Sequence, residues 1–305
     1  FFNATSFNSD ISQWDTSNVE SMNTMFSNTP FNQPLNDWNT SKVRSMVGMF
    51  QKNTTFNQPL NDWDTTALEW SGNMFYYATS FNQPLNNWDT SKVTDMGWMF
   101  GGASSFNQPL DSWDTSSLTY TTYTFAGATS FNQSLSNWDM SNVTNMVSMF
   151  AGATSFNQSL ASWDMQNVRW ATVALNNTAL SMENYDFTLA GWAAQDLQND
   201  VYLGAAPTKY CYSADARQSI INDYNWTITD GGQDCPAAPD FTNAFITTWK
   251  TDNSGSSASN QITIPTSGSG YNYTIDWGDG NVEADLTGDT THTYASEGTY
   301  TVKIL

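Results

Sequence analysis

FNQPLNNWDTSKVTDMGWMF, residues 81–100, returns at residues 131–150 as FNQSLSNWDMSNVTNMVSMF. The leading Phe recurs at Phe7, Phe31, Phe56, Phe81, Phe106, Phe131 and Phe156, with one step of 24 residues and five of 25. Trp follows in register at Trp14, Trp38, Trp63, Trp88, Trp113, Trp138 and Trp163. An aliphatic residue opens each second half at Val19, Val43, Leu68, Val93, Leu118, Val143 and Val168. A period of this length lies in the leucine-rich-repeat range, where each copy gives a short strand and a helical return. One copy cannot bury its apolar face alone, so the copies must stack. The expected fold is a right-handed, leucine-rich-repeat-like solenoid of parallel strands, roughly 34 Å long at about 4.8 Å per layer.

Within a copy, FNQPLNNW sets Phe81, Leu85 and Trp88 inward on a short strand that bends near Pro84. DTSKVTDMGWMF reads as a helical turn capped by Asp89 or Ser91. Val93, Met96, Met99 and Phe100 would share one helical stripe against the strand layer. Asn32, Asn57, Asn82, Asn107, Asn132 and Asn157 continue the position of Asn8. They predict a ladder of amides serving the backbone of the turn and the next copy, with glycan contact as the other reading. The acidic position after Trp (Asp15, Asn39, Asp64, Asp89, Asp114, Asp139 and Asp164) suits capping. A calcium ladder would need more oxygen ligands than one carboxylate per layer.

With 29 acidic and 9 basic residues the net charge is −20, which disfavours nucleic acid and anionic membranes. Aromatics make up 15% of the chain, too many for a disordered acidic tail. No stretch reaches the roughly 18 apolar residues of a membrane span, and no signal peptide is visible. Phe1 aligns with Phe100, so the chain opens inside a repeat, and TVKIL reads as mid-strand. Both ends predict a piece of a longer protein.

Three regions follow: repeats over residues 1–175, a region that breaks the period over 176–238, and strands over 239–305 after the linker PAAPD. A solenoid end exposes an apolar cross-section and needs a cap. NYDFTLAGWAAQDL and ARQSIINDYNW carry helical spacing, TIT closes as a strand, and 176–238 is read as that cap. Cys211 and Cys235 are the only cysteines. An isolated pair in a cap fits a disulfide worth on the order of 3 kcal/mol and an oxidising compartment. Two free buried thiols are the alternative. Zinc would want more ligands than the single His292 offers.

The repeats resemble the BspA-type leucine-rich surface proteins of Bacteroidetes and mycoplasmas, through the pattern FNQPLxxWDTSxVTxMxxMF across residues 1–175. ENYDFTLAGWAAQDLQ, LGAAPTKYCYSADARQSIINDYNWTITDGGQDC and YTIDWGDG resemble segments that follow such repeats. DWGDG with HTYxxxGTYTVKI is similar to PKD-like β-sandwich modules, matched at Asp276–Gly280 and His292–Ile304 and here incomplete. The resemblance implies a secreted, surface-attached adhesin, including large adhesins of gliding motility, with the PKD-like module as spacer. It also implies that His292 is structural. Asp276, Asp279 and Asp289 could hold calcium at an edge but lack a full ligand set; no other cofactor is expected.

One His, no reactive Cys arrangement and no phosphate loop argue against an enzyme. Asp62 and Asp64 are close in sequence, as a glycosidase pair would be, but lie in a repeated turn. The expected function is an extracellular binding module for glycan or protein, with neighbouring domains of the same chain as further partners. A passive stalk is the alternative. Departures from the repeat locate the surface. The second position after the aliphatic residue turns aromatic at Trp70, Tyr120 and Trp170. Three positions on, Thr24, Gly48, Asn73 and Ser148 give way to Trp98 and Tyr123, and Tyr76 and Tyr77 replace small loop residues. Packing does not demand these side chains, and exposed aromatics usually mark contact. Trp70, Trp98, Tyr120 and Tyr123 are expected to form one continuous patch. A neighbouring domain, or repacking around Thr121 and Thr124, is the alternative.

Overall fold

Along residues 96–102 the backbone N–H groups alternate between two kinds of partner. Met96, Trp98, Phe100 and Gly102 donate at 2.7–3.0 Å to the carbonyls of Tyr120, Thr122, Thr124 and Ala126 in the following copy. Met99, Gly101 and Ala103 donate three residues back, to Met96, Trp98 and Phe100. Left-handed backbone at Trp98 (φ 58°) and Gly102 (φ 68°) accompanies this alternation. An α-helix would send each N–H four residues back along its own turn; here every second one leaves for the next layer.

This pattern corrects the expected fold class. In the computed structural model, which describes residues 1–235, 241–251, 260–266 and 272–305, the repeats hold no helix and no strand longer than a bridge. The leucine-rich-repeat-like solenoid of a strand and a helical turn per copy is therefore not what forms. DTSKVTDMGWMF is a run of turns, and the extended sheets lie in the C-terminal strands, which pair antiparallel. The linker at 236–240 and parts of the Gly- and Ser-rich turns lie outside the described residues.

The copies are joined in register by single parallel bridges, running Ser21, Ser45, Trp70, Asp95, Tyr120, Asn145 and Trp170. Two columns of phenylalanine fill the interior. Phe31, Phe56, Phe81, Phe106, Phe131 and Phe156 stack with centroids 6.0–6.3 Å apart. Phe26, Phe50, Phe75, Phe100, Phe125 and Phe150 stack at 5.5–5.7 Å. Each buried Trp settles its polar edge by donating to a carbonyl of the preceding copy: Trp113 Nε1 to Leu85 and Trp138 Nε1 to Leu110, at 2.9 and 3.0 Å, as a buried indole must. Thr121 and Thr124, where most other copies carry Met, are also fully buried. Their hydroxyls donate to the carbonyls of Asn145 and Thr121.

Residues 176–235 belong with the repeats to one unit, Phe1–Cys235, and imitate a further copy. Helix α1 (Met182–Ala193) begins at Ser181, whose hydroxyl accepts from Asn184 N. Trp192 Nε1 donates to Leu160 O at 2.9 Å, repeating the indole bond of the layers below. Strand β1 (Tyr202–Gly204) takes up the backbone bonding, since Leu175 N donates to Gly204 O. A Cβ on Gly204 would lie 2.5 Å from Val173 Cα, so only glycine allows this approach. Helix α2 (Ala214–Tyr224) and strand β2 (Thr227–Thr229), parallel to β1, complete the unit.

The second unit, Pro236–Leu305, is built of two antiparallel sheets. β3 (Phe245–Lys250), β8 (Thr299–Ile304), β5 (Tyr273–Asp276) and β6 (Val282–Leu286) lie side by side in that order; β4 (Gln261–Ile264) pairs with β7 (Thr290–Thr293). Ile262, Ile264, Ile275, Trp277, Tyr294 and Val302 form its core. The turn after β5 depends on Gly278 (φ 78°), whose Cβ would lie 2.3 Å from Thr301 O.

Candidate functional site: aromatic departures on the repeats

The repeat has two left-handed positions per copy, and three departing aromatics occupy them. One column reads Thr24, Gly48, Asn73, Trp98, Tyr123, Ser148 and Val173, all at φ 51–62°. The other reads Asn28, Lys52, Tyr77, Gly102, Gly127, Gly152 and Asn177, at φ 53–76°. Gly and Asn tolerate this backbone, while a bulky side chain there is an outlier. Trp98 and Tyr123 stack face to face, with centroids 3.9 Å apart and planes within 3°. Tyr76 meets Trp98 edge-on at 5.0 Å and Tyr77 edge-on at 4.7 Å. Gly102 makes room beside Tyr77: a Cβ there would stand 3.0 Å from three atoms of the ring. Tyr77 is 48% exposed, and Tyr76, Trp98 and Tyr123 are half-buried. Burial raises the Tyr76 hydroxyl pKa above its ordinary value, with a further push from Tyr77.

Trp70 and Tyr120 belong to a different line. They sit on the row of bridges, separated by Asp95, and among the described residues no ring contact joins them to the Tyr76–Trp98–Tyr123 cluster. The continuous four-residue patch thus resolves into a packed cluster and a separate row. The helical reading set Trp98 and Tyr123 away from the core and Trp70 and Tyr120 beside its edge, and joined them only by expecting side chains two layers apart to meet. Signals for the cluster were present in the Gly and Asn at neighbouring left-handed positions.

The Asn positions form a chain of side-chain-to-backbone bonds. Asn57 N donates to Asn32 Oδ1 at 3.0 Å, and Asn82, Asn107, Asn132 and Asn157 repeat this on the preceding copy at 2.8–3.0 Å. Sequence reasoning missed a second ladder, in which Thr40, Thr65, Thr90 and Thr115 hydroxyls donate at 2.8–3.1 Å to the carbonyls of Asp64, Asp89, Asp114 and Asp139. The Thr recurring one residue after the acidic position was its signal. The acidic side chains cap turns rather than helices: Asp64 accepts from Thr66 N and Oγ1, which hold its carboxyl below the ordinary value. Asp62 is exposed and does not share that arrangement.

Cys211 and Cys235 are joined in a disulfide. Nearby, α1 and the residues leading into α2 line an open apolar pocket of about 570 Å³ beside the exposed Phe187 and Tyr212. Its buried Asp186 accepts from the backbone of Cys211, Tyr212 and Ser213, so the carboxylate anchors the cap. In the second unit, the three calcium candidates do not converge. Asp276 binds Lys303 at 2.8 Å, Asp279 binds His292 Nε2 at 2.8 Å, and Asp289 accepts from Thr266. No group of three metal-ligating side chains occurs among the described residues. His292 packs between Trp277, stacked at 5.0 Å, and Tyr294, edge-on at 4.6 Å.

Among the described residues no helix is long and apolar enough to cross a membrane. Neither a curated protein nor a solved structure matches the chain. The family described as a Mycoplasma protein of unknown function, DUF285, matches at residues 1–108 and 83–187, more than half of the chain, which therefore belongs to it.

Proposed function

We propose that this chain is a non-catalytic binding module of a secreted bacterial surface protein, contacting glycan or protein through the aromatic departures of its repeats. The stacked pair Trp98 and Tyr123 carries the reading. Both occupy the left-handed backbone position that other copies fill with Thr24, Gly48, Asn73, Ser148 and Val173, a conformation costing roughly 1–2 kcal/mol for an ordinary residue. What sets the pair apart from the other residues of that column is the ring stack itself, and the pair adds nothing to the buried core. The Cys211–Cys235 disulfide supports an oxidising, extracellular setting. The second unit is read as a PKD-like spacer within a larger adhesin.

The test is a panel of immobilised glycans and matrix proteins probed with the 305-residue chain and its Trp98→Asn/Tyr123→Asn variant. Binding should fall about tenfold or more in the variant, with its melting temperature kept. A variant that unfolds puts these rings in the core, and a folded variant that binds undiminished removes the site. If the parent chain binds nothing on the panel, the stalk reading takes its place.

A further inference from the structure

A second line of aromatics runs along the bridges, with a regular spacing of its own. Trp70, Tyr120 and Trp170 occupy alternate layers of the parallel ladder, and the layers between them present Asp95 and Asn145. The three rings are 43%, 53% and 52% exposed, far beyond the 9% of Ser45 on the same row. Bridged backbones lie about 4.8 Å apart, so alternate layers set the backbone positions that carry the rings about 9.5 Å apart. This is close to the length of one disaccharide unit in an extended β-1,4-linked polysaccharide. Successive rings of such a chain are turned over, so every second pyranose offers the same apolar face to the same side. An aromatic ring at each such interval can stack on that face.

Polar groups stand where the intervening sugars would present hydroxyls. Asp95 Oδ1 accepts from Gly97 N at 2.7 Å, and Asn145 Oδ1 accepts from Val147 N at 3.0 Å. The second Asp95 oxygen and the Asn145 amide nitrogen have no hydrogen-bond partner among the described residues. Charge selects among sugars. Thr94, Thr119 and Thr144 precede the central row positions, Asp95 is the one charge on the row between Trp70 and Trp170, and the whole chain carries −20. A polyuronate is disfavoured and an uncharged polymer fits. At one end Arg44 lies 5.9 Å over Trp70 and is held there by Glu69. At the other, Leu203 bridges Ala171, bringing the exposed Tyr202 into register with Trp170.

We infer that Trp70, Tyr120 and Trp170 form a linear binding row for an extended, uncharged β-1,4-linked glycan lying along the direction of stacking. The inference rests on the reading of the repeats as a binding module but uses different residues. Calorimetric titration of the full chain with cellobiose, cellotetraose and cellohexaose tests it, with maltohexaose and a polygalacturonate hexamer as controls. Affinity should rise with each disaccharide, and both controls should bind at least about tenfold more weakly than cellohexaose. Tyr120→Ala and Trp170→Ala should each weaken cellohexaose about tenfold without changing the melting temperature. Tyr212→Ala, which removes an exposed ring of the cap away from both aromatic lines, should leave cellohexaose affinity unchanged. No binding of cellohexaose, equal binding of maltohexaose, or affinity surviving Tyr120→Ala would each overturn the row. Cellohexaose binding lost only in the Trp98/Tyr123 variant would overturn the row and keep the binding reading. If panel binding is lost in that variant while cellohexaose never binds, the same holds.

Discussion

The repeats and the C-terminal strands solve the same problem, burying tryptophan with its N–H satisfied, in opposite ways. In the stack the solution is copied layer after layer, from Trp38 on the carbonyl of Ile11 to Trp192 on that of Leu160. In the second unit Trp277 finds a single side chain, Glu283, at 3.0 Å. Around it Tyr294 donates to the Trp277 carbonyl and His292 stacks on its ring. Repetition spreads each role over many residues, so a residue that breaks the pattern stands out. Where a role is held once, nothing in the sequence separates the structural residue from the functional one. His292 is the example, a lone histidine that only the resemblance of its segment marked as structural and that packs between Trp277 and Tyr294.

The largest effect should come from testing that contrast directly. Trp277→Ala and Trp113→Ala each remove a fully desolvated indole, worth roughly 3–5 kcal/mol. In the second unit the core is small, and Trp277→Ala should abolish protection of β5 and β8 in hydrogen exchange while the repeats stay protected. Trp113→Ala should loosen the layers on either side of Trp113 and leave the second unit untouched. Equal loss across both units would erase the distinction.

Next in size is the disulfide. It closes a segment of sequence separation 24, and its loss should cost about 3 kcal/mol. Reduction, or Cys211→Ser with Cys235→Ser, should lower protection of residues 203–229 before that of the Phe columns. Simultaneous melting of cap and repeats would show that the cap is one more layer in energy as well as in bonding.

How much of this was legible follows from the same contrast. The period and the inward Phe, Leu and Trp were readable because each pattern was restated by the next copy. The conformation of DTSKVTDMGWMF was not. Val93, Met96, Met99 and Phe100 fit a helical stripe, but the buried set is equally served by turns whose N–H groups alternate across layers. Apolar spacing reports which side chains are inside, not where the backbone sends its hydrogen bonds. Gly48, Asn73, Gly102, Gly127 and Gly152 mark the left-handed residues, and they argue against a helix once they are read as columns.

A smaller effect separates core aromatics from surface ones. Replacing Trp98 by Asn relieves left-handed strain worth roughly 1–2 kcal/mol and gives up stacking worth about 0.5–1.5 kcal/mol. Stability measured by denaturant should therefore lie between a loss of about 0.5 and a gain of about 1.5 kcal/mol. A loss approaching that of Trp113→Ala would place Trp98 in the core.

The smallest effect concerns pH and a role held once. Lys303 Nζ donates to Asp276 Oδ2 at 2.8 Å, and this bond, against the opposing pull of burial, holds the Asp276 carboxyl below its ordinary value. For Asp279, burial pushes the carboxyl up, but hydrogen bonds from His292 and Asn281 outweigh it and keep it low. A carboxyl depressed by folding contributes its full stability above the unfolded value, about 3.9, and loses it as pH falls through the folded value. Protection of β5 and β8 should accordingly be level from neutral pH to about 4.5 and decline below about 3.9. Asp276→Asn should lower protection at neutral pH and flatten that decline, because the group that titrates is gone. The repeats give a control within the same chain. Asp15, Asp64 and Asp114 are also depressed, first by the side-chain hydroxyls of Ser17, Thr66 and Ser116, but they lie at the surface in separate layers. Acid should therefore fray the repeats gradually and the second unit over a narrower range. A decline that persists unchanged in Asp276→Asn would assign the acid sensitivity to Asp279 and its bond to His292.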